Sequence, residues 1–216
     1  MININNLKHL VNKLEENLEY KSFTKENIKS LNCDNGVYLI KDNSENRIVR
    51  VGINTKDNGL KTRLAKHLQN KECSPFRRLL GGALIQAKQT TEIELWQWYI
   101  KKSELRQLLS SEEDFKSCEA LINKHEKLVT AEIQKHSYAI IPVPDTDERN
   151  QFEKKLISTY SWIWAYESRR DFDEKRWLGD YIPKTGMWLS NEAFKNPIEE
   201  SDLEKLLHLI QTESVY

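Results

Sequence analysis

Residues 35–40 read Asn-Gly-Val-Tyr-Leu-Ile, and residues 48–53 read Ile-Val-Arg-Val-Gly-Ile. Both runs are short and rich in β-branched and aromatic residues, and the polar turn at residues 42–46 between them predicts an antiparallel hairpin. The segment after Gly59 contains residues 61–68, Lys-Thr-Arg-Leu-Ala-Lys-His-Leu, and predicts a helix. We expect the rest of the chain to extend this hairpin and helix.

The composition is that of a soluble globular protein. The chain has 216 residues, of which 31% are charged and 38% hydrophobic. No apolar run approaches the roughly 18 residues that span a bilayer, and the N-terminus lacks a signal-peptide pattern, so we expect a cytoplasmic protein without a membrane partner. Its three cysteines are widely spaced and outline neither a disulfide framework nor a zinc site.

The charges balance, with 33 basic and 33 acidic residues, so only a local basic patch could indicate a nucleic-acid partner. One such cluster follows the hairpin. It could track a phosphate backbone, or it could be ordinary solvated surface. For the first interpretation we select Lys66, Arg77 and Arg78 as candidate nucleic-acid contacts.

Helical segments flank the hairpin in the sequence. Residues 1–31 begin with apolar residues at helical spacing and predict a helical N-terminal extension. A helix is predicted to start at Pro75 and to be broken by the glycine pair Gly81 and Gly82. Residues 92–100 are rich in β-branched and aromatic residues and predict a strand with Trp96 and Trp98 on one face.

A long helix is predicted from about Glu112, inside an insertion at about 85–137. Residues 138–144 then form a short strand, and a helix that carries Glu153 follows it. We therefore expect an α+β fold in which a small antiparallel sheet is flanked by helices. The predicted core domain is 32–165, and residues 166–216 form a C-terminal segment packed on the same domain.

Four pieces of this sequence, in this order, resemble the GIY-YIG nuclease superfamily, which is named after two short strand motifs. The first motif is present as residues 36–38, Gly-Val-Tyr, and the second as residues 50–52, Arg-Val-Gly. Arg63 and His67 are similar to the family's helical Arg followed one turn later by His or Tyr. Residues 142–157 are similar to the strand and helix that carry the family's metal-binding glutamate.

The resemblance implies a role for each matched residue. Glu153 would bind Mg²⁺ or Mn²⁺, since hard cations prefer oxygen ligands. Arg63 would contact the scissile phosphate. Tyr38 would be the general base, and His67 would bond the nucleophile or position Tyr38. A phenol ionises only near pH 10, so such a base needs a nearby positive charge. Arg50 could supply that charge if it shares a face with Tyr38, or it could bind phosphate.

Two positions depart from the family pattern. Arg50 stands in place of the family's second tyrosine. Ala165 stands where the family has a supporting asparagine, and Asn191 in the C-terminal segment could take the role of that asparagine.

The resemblance implies a divalent-metal-dependent endonuclease that hydrolyses DNA, of restriction or defence type, acting as a homodimer if the target is palindromic. The alternatives are a degenerate nucleic-acid-binding module without turnover and a protein-interaction domain.

Overall fold

The structure is a computed structural model that describes residues 2–54, 59–87, 92–171, 192 and 194–213. Within these ranges the chain forms two compact units. The first contains the described residues up to Ala65 and from Lys135 onward. The second contains residues 66–87 and 92–134.

Helices and strands alternate irregularly along the chain. In chain order they are α1 (Ile4–Glu15), β1 (Lys21–Ser22), α2 (Lys25–Lys29), β2 (Gly36–Asp42), β3 (Arg47–Ile53), α3 (Gly59–His67), α4 (Pro75–Gln86), α5 (Leu95–Tyr99), α6 (Lys102–Leu108), α7 (Glu112–Ile133), β4 (Ser137–Pro142), α8 (Thr146–Asp171) and α9 (Glu200–Glu213). The strands belong to the first unit, and α4 to α7 belong to the second.

The predicted hairpin is confirmed and forms half of a four-stranded antiparallel sheet in the order β1-β4-β2-β3. Tyr38 pairs with Gly52 and Ile40 pairs with Arg50 across the hairpin. On its other side, β2 pairs with β4, which lies almost 100 residues later in the chain. Together with the helices, this sheet confirms the predicted α+β fold.

One face of the sheet carries the core of the first unit. Side chains such as Val37, Leu39 and Val51 are buried in one cluster with apolar residues of α1, α8 and α9. Because successive side chains of a strand point to opposite faces, Tyr38 and Arg50 lie on the face away from this cluster. Tyr38 and Arg50 therefore lie on the opposite face of the sheet from this cluster, whereas Glu153 comes from α8, which packs on the cluster side.

The glycine pair does not break α4, which contradicts the prediction. The helix runs from Pro75 to Gln86, through Gly81 and Gly82. A Cβ atom at Gly81 would overlap the indole of Trp98, and one at Gly82 would lie 2.9 Å from the Tyr99 phenol carbon. The glycines therefore give two aromatic side chains close access to the helix backbone, which offsets their poor intrinsic helix propensity.

The strand prediction for residues 92–100 is also wrong, because residues 95–99 form α5. Glu94 and Gln97 begin this helix with a reciprocal capping box. Trp98 is fully buried against α4 and makes an edge contact with His125, whereas Trp96 is 47% exposed. The aromatic residues in this segment therefore serve packing against α4 and α7, and their presence does not mean that the backbone is extended.

The long helix predicted from Glu112 is confirmed as α7. Its buried stripe contains Phe115, Cys118, His125, Val129 and Ile133. No helix in the described part of the chain is long and apolar enough to cross a membrane.

Replacing Gly81 with alanine tests the packing of α4. In an open helix this change would stabilise the protein by about 0.5–1 kcal/mol. Here the added methyl group would overlap Trp98, so we expect a loss of about 1–3 kcal/mol in the free energy of unfolding, measured by urea denaturation. The double variant Gly81→Ala/Trp98→Leu should lose less than the sum of the two single changes. A stabilised Gly81→Ala protein would contradict this packing.

Candidate active site

The Tyr38 side chain lies against the neighbouring strand at Gly52. The two residues are directly paired between β2 and β3, and a Cβ atom on Gly52 would lie 2.5 Å from Cζ of Tyr38. Tyr38 is fully buried in this position. The second motif therefore needs its glycine because only a residue without a side chain leaves room for the phenol of the first motif.

Arg50 lies on the same face of the hairpin as Tyr38. Its cross-strand partner is Ile40, two residues beyond Tyr38, so the alternation of the strands places the three side chains together. Arg50 is half-buried, and its buried Nε has no hydrogen-bond partner among the described residues. The shared face that our prediction required of Arg50 is therefore present.

Arg63 comes from α3. This helix begins at Gly59, whose φ of +64° suits glycine, and the N–H of Leu60 donates a hydrogen bond of 2.9 Å to the Asp34 carbonyl. Leu60 and Leu64 are buried on the inner face of the helix. Arg63 is half-buried, and its Nε is also buried without a hydrogen-bond partner in the described ranges.

Glu153 is delivered by α8, whose start is held by Arg149. The guanidinium of this buried arginine donates to the carbonyls of Val143 at 2.9 Å and Pro144 at 3.3 Å, and to Thr146 Oγ1 at 3.1 Å. Glu153 follows Arg149 by four residues and so lies one helical turn further on, near the same helix face. Arg149 thereby fixes both the turn after β4 and the direction of the helix.

Opposing effects act on the pKa of the Glu153 carboxylate. Burial raises its pKa above the ordinary value for glutamate. The Arg50 and Arg63 guanidinium groups and a hydrogen bond from the Ile53 backbone N–H oppose this shift. Among the described residues neither arginine makes a direct ion pair with the carboxylate. Both positive charges therefore act on Glu153 while their Nε–H groups stay available.

His67, at the end of α3, is fully buried in the second unit. Its Nδ1 lies 2.6 Å from Ser74 Oγ, and its ring packs edge-on against Phe76. The resemblance implied that His67 would bond the nucleophile or position Tyr38, and this stays a prediction. The contacts with Ser74 and Phe76 hold the end of α3.

The three predicted nucleic-acid contacts differ in exposure. Arg77 is fully buried in the second unit, where it pairs with Glu126 at 2.5 Å and donates to the His67 carbonyl and to Thr130. Its burial argues against the predicted contact with nucleic acid, because the guanidinium would have to leave these partners to reach a phosphate. Lys66 and Arg78 are half-buried and remain candidates.

Sequence reasoning missed Asn54, which directly follows β3. This side chain is 5% exposed, and its Nδ2 donates a hydrogen bond of 3.0 Å to Asn35 Oδ1, which joins the two strands at the open end of the hairpin. An asparagine after a strand is common in turns, so the sequence carries no signal for this role. Ala165 lies within α8, and Asn191 lies outside the described residues.

Comparison with protein families gives one decisive match, to a model described as the GIY-YIG domain, over residues 2–215. The chain belongs to the GIY-YIG family. The match includes the N-terminal helices, α4 to α7 and the C-terminal helix, and so reaches far beyond the two strand motifs. Searches of curated proteins and of solved structures find no match.

Membership of the GIY-YIG family gives the residues on the hairpin a chemical context. GIY-YIG domains are generally nucleases, which implies DNA as substrate, and they typically depend on a divalent metal. Within the described residues, no group of three or more His, Cys, Asp or Glu side chains is arranged to hold a metal ion. Glu153, on the helix that resembles the family's metal-binding segment, stays the predicted ligand of such a cation.

Gly52→Ala should disturb the hairpin, because the new methyl group would occupy the space of the Tyr38 phenol. We expect a loss of about 1–3 kcal/mol in the free energy of unfolding, measured by urea denaturation. Tyr38→Leu in the Gly52→Ala background removes the clash and should recover part of the loss. Equal destabilisation by Gly52→Ala in both backgrounds would contradict the contact.

Glu153→Gln should stabilise the protein at neutral pH, because the folded state holds the ionised carboxylate less favourably than the unfolded chain does. The gain should disappear as the pH falls towards about 4, where the carboxyl is protonated in both states. Urea denaturation across this pH range measures it. Glu148→Gln, an exposed carboxylate on the same helix, is the matched control. A Glu153→Gln protein that is less stable at pH 7 would contradict this electrostatic description.

Proposed function

We propose that this protein is a divalent-metal-dependent endonuclease that hydrolyses DNA phosphodiester bonds with the sequence specificity of a restriction or defence enzyme. The observation that carries the proposal is the convergence of the Arg50 and Arg63 charges on Glu153, which is contributed from a distant part of the chain. Tyr38 lies on the same face of the hairpin as Arg50. The two arginines link the carboxylate of α8 to the face of the hairpin that carries the phenol.

The residues present fit a divalent cation of the Mg²⁺ type. Such an ion is often held by one or two carboxylates and keeps several waters, so Glu153 alone could bind it. A cation beside the carboxylate would also favour its ionised form, against the effect of burial. When bound, Mg²⁺ or Mn²⁺ would lower the pKa of a bound water and neutralise charge on the phosphate.

The two arginines would bind the scissile phosphate. Guanidinium groups donate parallel hydrogen bonds that match phosphate oxygens, and the buried Nε atoms of Arg50 and Arg63 lack hydrogen-bond partners among the described residues. Contact with phosphate would satisfy these donors. It would also stabilise the negative charge that develops on the phosphoryl oxygens in the transition state.

Tyr38 would accept the proton of the attacking water through its hydroxyl group. The Arg50 guanidinium lies on the same face of the hairpin as this phenol. Packing against Gly52 fixes the direction of the buried ring. The hydroxyl is the group of this side chain that would accept the proton. The water oxygen forms the new bond to phosphorus as the bond from phosphorus to the sugar oxygen breaks. The leaving oxygen takes up a proton from solvent, and Tyr38 returns its proton to solvent.

We propose a positioning role for His67. Its bond to Ser74 anchors the end of the helix that carries Arg63. Lys66 and Arg78 stay as proposed DNA contacts. Because one site cuts one strand at a time, cleavage of a palindromic target would require two copies of the chain.

A second candidate function is DNA binding without turnover. The observation that favours it is Ala165, which lies in α8 where the family pattern has an asparagine that supports the site. Such a protein would keep the phosphate contacts of Arg50 and Arg63 and lack the hydrolytic step.

Plasmid DNA incubated with Mg²⁺ or Mn²⁺ tests the proposed activity. We expect cleavage by the wild type and losses of about 100-fold or more for Glu153→Gln, Tyr38→Phe and Arg63→Gln, as for removal of a general base or an electrostatic stabiliser. Glu148→Gln, on the same helix as Glu153, should retain activity.

The results distinguish the two candidate functions. Binding of DNA without cleavage by the wild type, under either metal, would favour the binding module. Cleavage that survives Glu153→Gln unchanged would contradict the proposed site.

A further inference from the structure

The second unit contains a small cavity that the proposed catalytic site does not use. Its volume is about 220 Å³, which is below the range of roughly 300–1,000 Å³ that is usual for sites that bind drug-sized molecules. The cavity is therefore sized for a small chemical group. Its lining consists of Lys71, Glu72, Arg78, Tyr99, Ile100 and Lys101.

Lys71 forms the buried end of the positive lining. It is 5% exposed, and its Nζ donates to three backbone carbonyls, of Trp98 at 2.5 Å, Ile100 at 2.7 Å and Gln97 at 3.2 Å. These three hydrogen bonds hold the ammonium group in place. Because the carbonyl acceptors are neutral, they do not form an ion pair with it. Burial lowers the pKa of Lys71, which shows that its surroundings do not fully replace water.

Arg78 brings a second positive charge to the same cavity. It is half-buried on α4, and its guanidinium has no ion pair or hydrogen bond among the described residues. The Glu72 and Glu126 carboxylates raise the pKa of Lys71, and Arg78 lowers it by a smaller amount because the two cations repel each other. An anion between them would turn this repulsion into two attractions.

The remaining charged groups leave the cavity positive. Lys101 is exposed at its lining, and Glu72 is the one acidic residue there. The Glu72 carboxylate accepts a hydrogen bond of 2.9 Å from the Lys102 backbone N–H. With three cationic side chains and one carboxylate, the lining favours an anion whose size matches the cavity.

We propose that this cavity binds a phosphate group, and that in the working protein this group belongs to the DNA backbone away from the bond that is cut. The choice of DNA as the source rests on the proposed function. The Arg78 guanidinium would donate to two phosphate oxygens. Lys71 would supply a positive charge at the buried end of the cavity, and the exposed Lys101 would supply one at its solvent side. The contact carries no base information and serves to position the duplex.

The test measures binding of a labelled DNA duplex at several salt concentrations, without metal and in the Glu153→Gln background, so that cleavage plays no part. Arg78→Gln and Lys101→Gln should each weaken binding and reduce the slope of log K against log salt by about one. Lys102→Gln is the matched control, because Lys102 pairs with Glu119 and does not line the cavity. Circular dichroism and thermal melting check that each variant is folded.

Isothermal titration with inorganic phosphate forms the second arm. Binding to the wild type that Arg78→Gln abolishes, together with the reduced salt slope, supports a site for backbone phosphate. Phosphate binding with an unchanged salt slope would overturn DNA as the source. No phosphate binding and no change of slope would overturn the cavity as a phosphate site.

These results are separable from those on the nuclease activity. A protein that cleaves DNA with unchanged binding in Arg78→Gln refutes the cavity and retains the nuclease. A reduced slope in a protein that never cleaves DNA retains the cavity and refutes the nuclease.

Discussion

The pairing of Tyr38 with Gly52 is the constraint on which the site depends. The register of the hairpin places the Tyr38 phenol against Gly52, which has no side chain. If β2 and β3 were paired one residue out of register, a side chain would occupy this space and clash with the phenol. The same register brings Arg50 to the face that carries Tyr38 and leaves Val37 and Leu39 for the core on the other side. One alignment therefore decides which side chains enter this core cluster and which lie on the face of Tyr38 and Arg50.

The electrostatics of the site follow from how few acids it contains. Glu153 is the carboxylate on which Arg50 and Arg63 act, and burial alone would favour its neutral form. The guanidinium groups and the Ile53 N–H offset part of that effect. Under the proposed function, the two arginines that act on Glu153 among the described residues would suit an anionic substrate, because its phosphate would offset their positive charge.

Much of this arrangement could be predicted from the sequence, because it depends on local patterns. Alternating strands, the polar turn and the helical stripe of α7 each indicate their own structure. The sequence patterns gave wrong predictions where the local structure depends on residues far apart in the chain. Trp98 of α5 packs on Gly81 of α4, and both segments are helical in the structure. For the same reason the sequence did not show that Arg77 is buried beside Glu126. The roles of Tyr38, Arg63 and Glu153 stay predictions for experiment.

Glu153 also has a structural consequence through its bond to Ile53. Strand β3 lies at the edge of the described sheet, where free backbone N–H groups can recruit a strand from another molecule. By accepting the Ile53 N–H, the carboxylate occupies one of these positions, and α8 lies alongside the strand. The Glu153 carboxylate thus covers one backbone donor at this edge of the described sheet, which opposes the addition of a strand from another molecule.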